Sequence, residues 1–124
     1  MMYAIVDIET TGGYASANGI TEISVFIHDG KRVVKHFETL IDPQQHIPNY
    51  ITALTGIDNA MVATAPVFDE IADTLFDILN DSVFVAHNVN FDYSFIKHQF
   101  KQSGYDLTAK KLCTVRLGRK VFPG

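Results

Sequence analysis

Cysteine occurs once in the 124 residues, at Cys113, so no internal disulfide can form; this fits a reducing compartment and sets the expectation of a cytoplasmic protein. The plainer reading of Cys113 is a small hydrophobe near the end of a strand. No apolar run approaches the roughly 18 residues needed to span a bilayer, so no membrane partner is expected. The start, Met1-Met2-Tyr3, lacks the basic region of a signal peptide and runs straight into an apolar stretch. Internal repeats, low-complexity tracts and linkers rich in Pro, Gly and Ser are absent as well, which excludes solenoids and tethered arrays. What remains, with 47% hydrophobic and 19% charged residues, suits one globular domain with a modest core.

Basic residues are scarce over most of the chain. Residues 1–92 carry 3 basic and 13 acidic side chains, a net of −10. Residues 93–124 reverse this, with Lys97, Lys101, Lys110, Lys111, Arg116, Arg119 and Lys120 against Asp106, a net of +6. The overall charge of −4 argues against a nucleic-acid binder. The asymmetry fits either an anionic partner met by one end of the chain or an ordinary solvated surface.

Alternation and turn signals predict strands over about residues 2–9, 21–28 and 32–41, with Asp29-Gly30 as a two-residue hairpin signal and Asp42-Pro43 as the stop. A loop region over 44–63 contains a short helix from about Pro48 to Leu54, stopped at Gly56. Val67, Phe68, Ile71, Ala72, Leu75, Phe76 and Leu79 then fall at helical spacing, with Asp69, Glu70, Asp73 and Asp77 on a solvated face. Val83-Phe84-Val85-Ala86 reads as a buried strand. A helix from about Val89 to Gln102 buries Phe91, Phe95, Ile96 and Phe100 and stops at Gly104. A last strand near Leu112–Thr114 leads into a basic helical start that breaks at Pro123-Gly124. Three antiparallel strands followed by helix, strand, helix, strand predict an α/β domain with a mixed sheet.

The chemistry concentrates at Asp7-Ile8-Glu9-Thr10-Thr11-Gly12. In a strand, Asp7 and Glu9 share a face while Ile8 points to the core, so two like charges sit side by side in a structure that disfavours acids. A divalent cation would turn that repulsion into coordination; a strand running out into a solvated acidic turn is the plainer alternative. The second concentration is His87-Asn88-Val89-Asn90-Phe91-Asp92. Asp92 falls in the first turn of a helix, where a carboxylate is favoured on local grounds alone. Asn88 and Asp92 are four apart and would share a face if both are helical. A carboxylate projecting from that helix toward the first strand would put three acids around one space.

DIETTG beside HNVNFD resembles the first two motifs of the DEDD 3′–5′ exonucleases (DEDDh-type, DnaQ-like), with the nearest likeness to the epsilon proofreading subunit of bacterial DNA polymerase III. Glu22-Ile23-Ser24, Leu54-Thr55-Gly56-Ile57 and the tail from Cys113 to Gly124 extend the resemblance over essentially the whole chain. It implies a ribonuclease H-like fold and one exonuclease domain over 1–124. It further implies two Mg²⁺ or Mn²⁺ ions, with Asp7 shared between them, Glu9 a ligand of one, and Asp92 a ligand directly or through water. Thr10, Thr11 and Gly12 would hold the terminal nucleotide through backbone groups. Leu54 and Thr55 would lie beside its base, and Asn88 and Phe91 would shape the pocket. The implied substrate is a single-stranded DNA 3′ end, in proofreading or repair. A polymerase subunit or a fused domain beyond residue 124 is the implied partner.

The resemblance also implies a third motif, His or Tyr followed five residues later by Asp on a helix downstream of Phe122-Pro123-Gly124, which would supply a fourth acid and a general base. None of His28, His36, His46, His87 or His98 meets that pattern within a helix, so the domain is expected to be incomplete at its C-terminus and these residues inactive alone. A catalytically silent nucleic-acid-binding or scaffold module of the same fold, and an exoribonuclease of the same superfamily, are the alternatives.

Overall fold

The computed structural model describes residues 1–113. Strands β1 (Tyr3–Thr10), β2 (Ile20–His28) and β3 (Val33–Leu40) form an antiparallel meander. Helices α1 (Asn49–Thr55), α2 (Asn59–Val62) and α3 (Phe68–Leu79) follow, then β4 (Val83–Ala86), α4 (Val89–Gln102) and β5 (Lys111–Cys113). The strands make one mixed sheet in the order β3-β2-β1-β4-β5, with β4 parallel to both β1 and β5. This is the α/β architecture that the alternation and crossovers predict. The basic helical start after β5, with Arg116, Arg119, Lys120 and the Pro123-Gly124 break, lies outside the described residues, as does Thr114.

Strand alternation gives the sheet two unlike faces. Ala4, Val6 and Ile8 of β1, with Ile23, Val25 and Ile27 of β2, are buried against Leu75 and Leu79 of α3 and Phe95, Ile96 and Phe100 of α4. Phe100 is the pivot, meeting Phe68 and Phe76 edge-on at centroid distances of 5.2 and 5.5 Å. The opposite face leaves Ile5, Phe26 and His36 in solvent, the last two stacked at 4.1 Å. A smaller cluster of Ile47, Ile57 and Val62 takes Leu40 and Ile51 against it, which ties α1 to the end of β3.

Several local devices differ from the sequence expectation. The β2–β3 connection is a four-residue loop, Asp29–Arg32, rather than a two-residue hairpin, because the Asp29 carboxylate accepts the Lys31 and Arg32 N–H groups at 2.8 and 2.9 Å. Within the expected loop region, α2 is capped by Asp58, whose side chain accepts the Met61 N–H at 2.8 Å. Helix α1 stops as expected at Gly56, which takes φ 78°, a left-handed conformation suited to glycine. Phe91 is only half-buried, unlike Phe95, Ile96 and Phe100.

Two features shape the end of β1. The pairing of β1 with β2 slips between Glu9 and Thr10, so that Thr10 faces Ile20 and Thr21 is left as an extra residue. Such a bulge re-aims the side chains beside it. On the other side, β4 pairs only with Tyr3, Ala4 and Ile5, so β1 runs on past its parallel neighbour.

A carboxylate site at the open end of β1

The gap beyond β4 is where the sequence-predicted acids meet. It lies between the two parallel strands at which the sheet order reverses direction, the crevice that open α/β sheets offer to ligands. Asp7 is exposed and Glu9 half-buried on the open face of β1, while Ile8 between them is in the core. Asp92 comes from the first turn of α4 and is buried, with 7% of its surface exposed. The Ile8 and Asp92 backbone N–H groups lend its carboxylate some favourable field.

These groups do not compensate its charge. Burial, then the proximity of Asp7, raises the Asp92 pKa to about 7, and Glu9 pushes in the same direction; the two backbone N–H groups oppose it. Glu9 is raised too, by burial first, then by Asp7 and by Glu22, its direct partner across the β1–β2 ladder. Glu22 is raised in turn by burial, by Glu38 and by Asp7. The only ion pair among the described residues is Lys97–Asp106, so no lysine or arginine there neutralises this group. The motif pair led to Asp7, Glu9 and Asp92; Glu22 and Glu38 needed the strand register, because nothing in their spacing links them to residues 13 or more positions away.

A hard divalent cation suits this donor set: three carboxylates, one of them buried and held against like charges. The side chains converge without closing, since among the described residues no three or more His, Cys, Asp or Glu are gathered tightly enough to hold an ion.

The other expected site residues divide into two kinds. Some are committed to building the site. The Thr11 N–H donates to the Gly19 carbonyl at 3.0 Å, and its buried hydroxyl donates to Gln45 at 2.6 Å while accepting the Gly19 N–H at 3.1 Å. The Thr10 hydroxyl donates to the Gly12 carbonyl at 2.8 Å. A Cβ on Gly12 would stand 2.5 Å from Asn18 Oδ1, so a larger residue there would push the Asn18 side chain off its bonds to the Thr11 hydroxyl and the Tyr14 carbonyl. Thr55 caps its own helix end, donating to the Ile51 carbonyl and accepting the Ile57 N–H. Others remain available. Leu54 is 78% exposed on α1. Asn88 is the exposed N-cap of α4, outside the helix proper, and its carbonyl accepts the Phe91 and Asp92 N–H groups. His87 is exposed beside it, its carbonyl accepting the Cys113 thiol at 2.9 Å.

A model of the RNase_T exonuclease family matches residues 4–124. The 3′-5′ exonuclease DinG of Bacillus subtilis is 36% identical over 124 residues, which cover 98% of this chain and 13% of DinG. The chain therefore spans about an eighth of that relative. Among solved structures, exonuclease X in complex with 5′ overhanging duplex DNA superposes with a TM-score of 0.72 at 28% identity, covering 98% of this chain and 65% of its own. Exonuclease I of E. coli, bound to a dT13 oligonucleotide, superposes with a TM-score of 0.84 over 95% of this chain and 29% of its own; at 14% identity it bears on the fold alone.

Proposed function

The chain belongs to this exonuclease family, of the DEDD superfamily, and on that premise we propose that it hydrolyses single-stranded DNA from the 3′ end with Mg²⁺ or Mn²⁺. The observation that carries the reading is the uncompensated meeting of Asp7, Glu9 and buried Asp92 beyond the end of β4. Asp7, Glu9 and Asp92 would hold two ions, which when bound supply a water acidic enough to attack near neutral pH and charge to offset that of the phosphate. The protein's part is to fix the donors. Ile8 lends its N–H to Asp92, the bulge at Thr21 sets the direction of Glu9, and the Thr11–Gly19–Gln45 bonds brace the turn that follows.

Leu54 offers an apolar surface to the terminal base, which needs no base identity to be read. Thr10, Gly12, Asn88 and Phe91 line the approach, whereas Thr11 acts by holding the loop rather than by lending its N–H. These residues contain no helical His or Tyr with an Asp five positions on, so we place the general base elsewhere in the protein and expect the 124 residues alone to turn over negligibly. The assignment to proofreading or repair, a polymerase partner or fused domain, the likeness to the epsilon subunit and a cytoplasmic location belong to the same proposal.

The test is Asp7→Asn in the full-length protein, assayed on a single-stranded oligonucleotide labelled at its 5′ end. Loss of the ladder of shortened products is expected, and undiminished degradation overturns the reading. One observation favours a silent binding module: the three carboxylates are not gathered to ion-holding distance. Titration with Mn²⁺ separates the two, since a silent module binds none specifically. An RNA oligonucleotide alongside the DNA distinguishes an exoribonuclease.

A further inference from the structure

The stripe of α4 next to Asp92 carries the opposite charge. Tyr93, Lys97 and Lys101 follow one another at four-residue intervals, so they lie along one side of the helix, about 6 Å apart per step. Lys111 reaches the same stripe from β5. Its Nζ stands 4.8 Å from the centre of the Tyr93 ring, and the Lys97 Nζ stands 5.9 Å from it. The ring is fixed on three sides. Its hydroxyl donates to the Leu107 carbonyl at 3.2 Å and accepts the Ala109 N–H at 3.3 Å, and Phe84 meets it edge-on at 5.2 Å. Two ammonium groups are thus gathered at one rigid aromatic surface, with Lys101 a turn further on and Lys110 beside Lys111.

Gathering like charges is unfavourable, and the fold relieves it at Lys97 alone, whose ammonium donates to the Leu107 carbonyl at 2.8 Å, while the Lys101 and Lys111 ammonium groups have no such acceptor among the described residues. Asp106, 3.6 Å from Lys97, is the one acid among residues 93–113, and its side chain is 87% exposed, where such a pair is worth little. The remainder of the described chain has a net charge of −10, and its three basic residues, Lys31, Arg32 and Lys35, lie at the β2–β3 loop and the start of β3, so this seam is the positive stretch that adjoins the carboxylate gap. The seam also has a direction. It starts one residue from Asp92, and β5 ends at Cys113, bonded to the His87 carbonyl at the rim of the carboxylate gap. On the other side of the gap, Glu22 and Glu38 extend the acidic face across β2 and β3 and would repel a polyanion.

Resting on the exonuclease reading, we propose that the α4–β5 seam is the track along which the phosphate backbone of the strand leaves the site. Lys97, Lys101 and Lys111 pair with phosphates upstream of the terminal nucleotide, and Tyr93 holds two of them in place. Phosphate pairing is indifferent to base sequence, so the track contributes affinity and direction.

Lys101→Ala/Lys111→Ala tests this, since both side chains are exposed and neither carries a hydrogen bond of the fold. Binding of an oligothymidylate about twelve nucleotides long is measured by anisotropy across a salt series, in the full-length protein without divalent metal. The expected result is a Kd about fivefold to tenfold weaker at low salt and a salt slope shallower by about 1.4, at about 0.7 for each phosphate left without its lysine. Hydrolysis of the p-nitrophenyl ester of thymidine 5′-monophosphate, which has no upstream phosphate, is expected to stay unchanged. An unaltered Kd and slope overturn the track. So does polyglutamate binding as tightly as the oligonucleotide, which would make the seam a dock for an acidic protein. If wild-type protein leaves the ester intact yet binds the oligonucleotide with the lysine-dependent slope, the track stands and the exonuclease reading fails.

Discussion

On α3, Asp69, Glu70, Asp73 and Asp77 face solvent; around the end of β1, Asp7, Glu9 and Asp92 face one another. The helix spreads its acids over a convex surface and uses them locally. Glu70 accepts the Val67 N–H at the helix start, and Asp73 accepts the Tyr105 hydroxyl. At β1 the same residue types come from a strand end and a helix start that aim at one gap. Water screens the first group, whereas in the second it is largely excluded from Asp92 and partly from Glu9, so the repulsion is felt there. The two groups contain the same chemical units. Convergence and burial make the difference, and neither is a property of any one residue.

The comparison can be broken most directly by removing charge from each side. In the full-length protein, Glu9→Gln is expected to lower kcat on single-stranded DNA by about 10²-fold or more, whereas Asp73→Asn/Asp77→Asn stays within about twofold. Equal effects would erase the distinction.

A second, smaller effect concerns stability. The pKa of Asp92 is raised in the fold to about 7, above its ordinary carboxylate value, so the metal-free fold binds the proton more tightly than the unfolded chain does. The stability this confers is complete below about pH 4 and is lost as pH rises through about 7. Asp92→Asn, which keeps the side chain's size without its charge, is therefore expected to raise the metal-free Tm at pH 8, by the equivalent of about 2–4 kcal/mol. Asp77→Asn should leave the Tm-against-pH curve unmoved, and thermal melts in chelator across the pH range decide it.

The smallest effect sharpens the boundary of the buried group. Glu22 is the third cause of the raised Glu9 pKa, after burial and Asp7. Glu22→Gln should move the acid limb of the kcat/KM profile to lower pH by less than about one unit. An unchanged limb would place Glu22 outside the electrostatic group.

Much of this was legible in the residue order. The D-x-E pair declared a shared face, Val83–Ala86 matched β4 at both ends, and Val89–Gln102 matched α4, because strand alternation and helix stops are local signals. The exonuclease family itself was legible in DIETTG and HNVNFD. The likeness to the epsilon subunit in particular is not what DinG and exonucleases X and I bear out. Illegible were the effects of pairing. The Thr21 bulge, Glu22 opposite Glu9, and Gln45 bonded to Thr11 join residues that only the folded sheet brings together. The hairpin at Asp29 formed, but its two-residue length failed for a local reason, since the Asp29 side chain competes for the backbone N–H groups that a tighter turn would have used differently.

Strand β4 has four residues and its neighbour β1 has eight, and that mismatch works as a ruler. Where β4 stops, the sheet stops supplying acceptors, and a side chain takes over the post at Ile8. Two more residues of β4 would continue the ladder, claim that N–H for the backbone and leave Asp92 no seat. The site is thus measured out by a length rather than by a residue. Grafting three acids onto a sheet with strands of equal length would reproduce the motif and miss the opening that gives it a use.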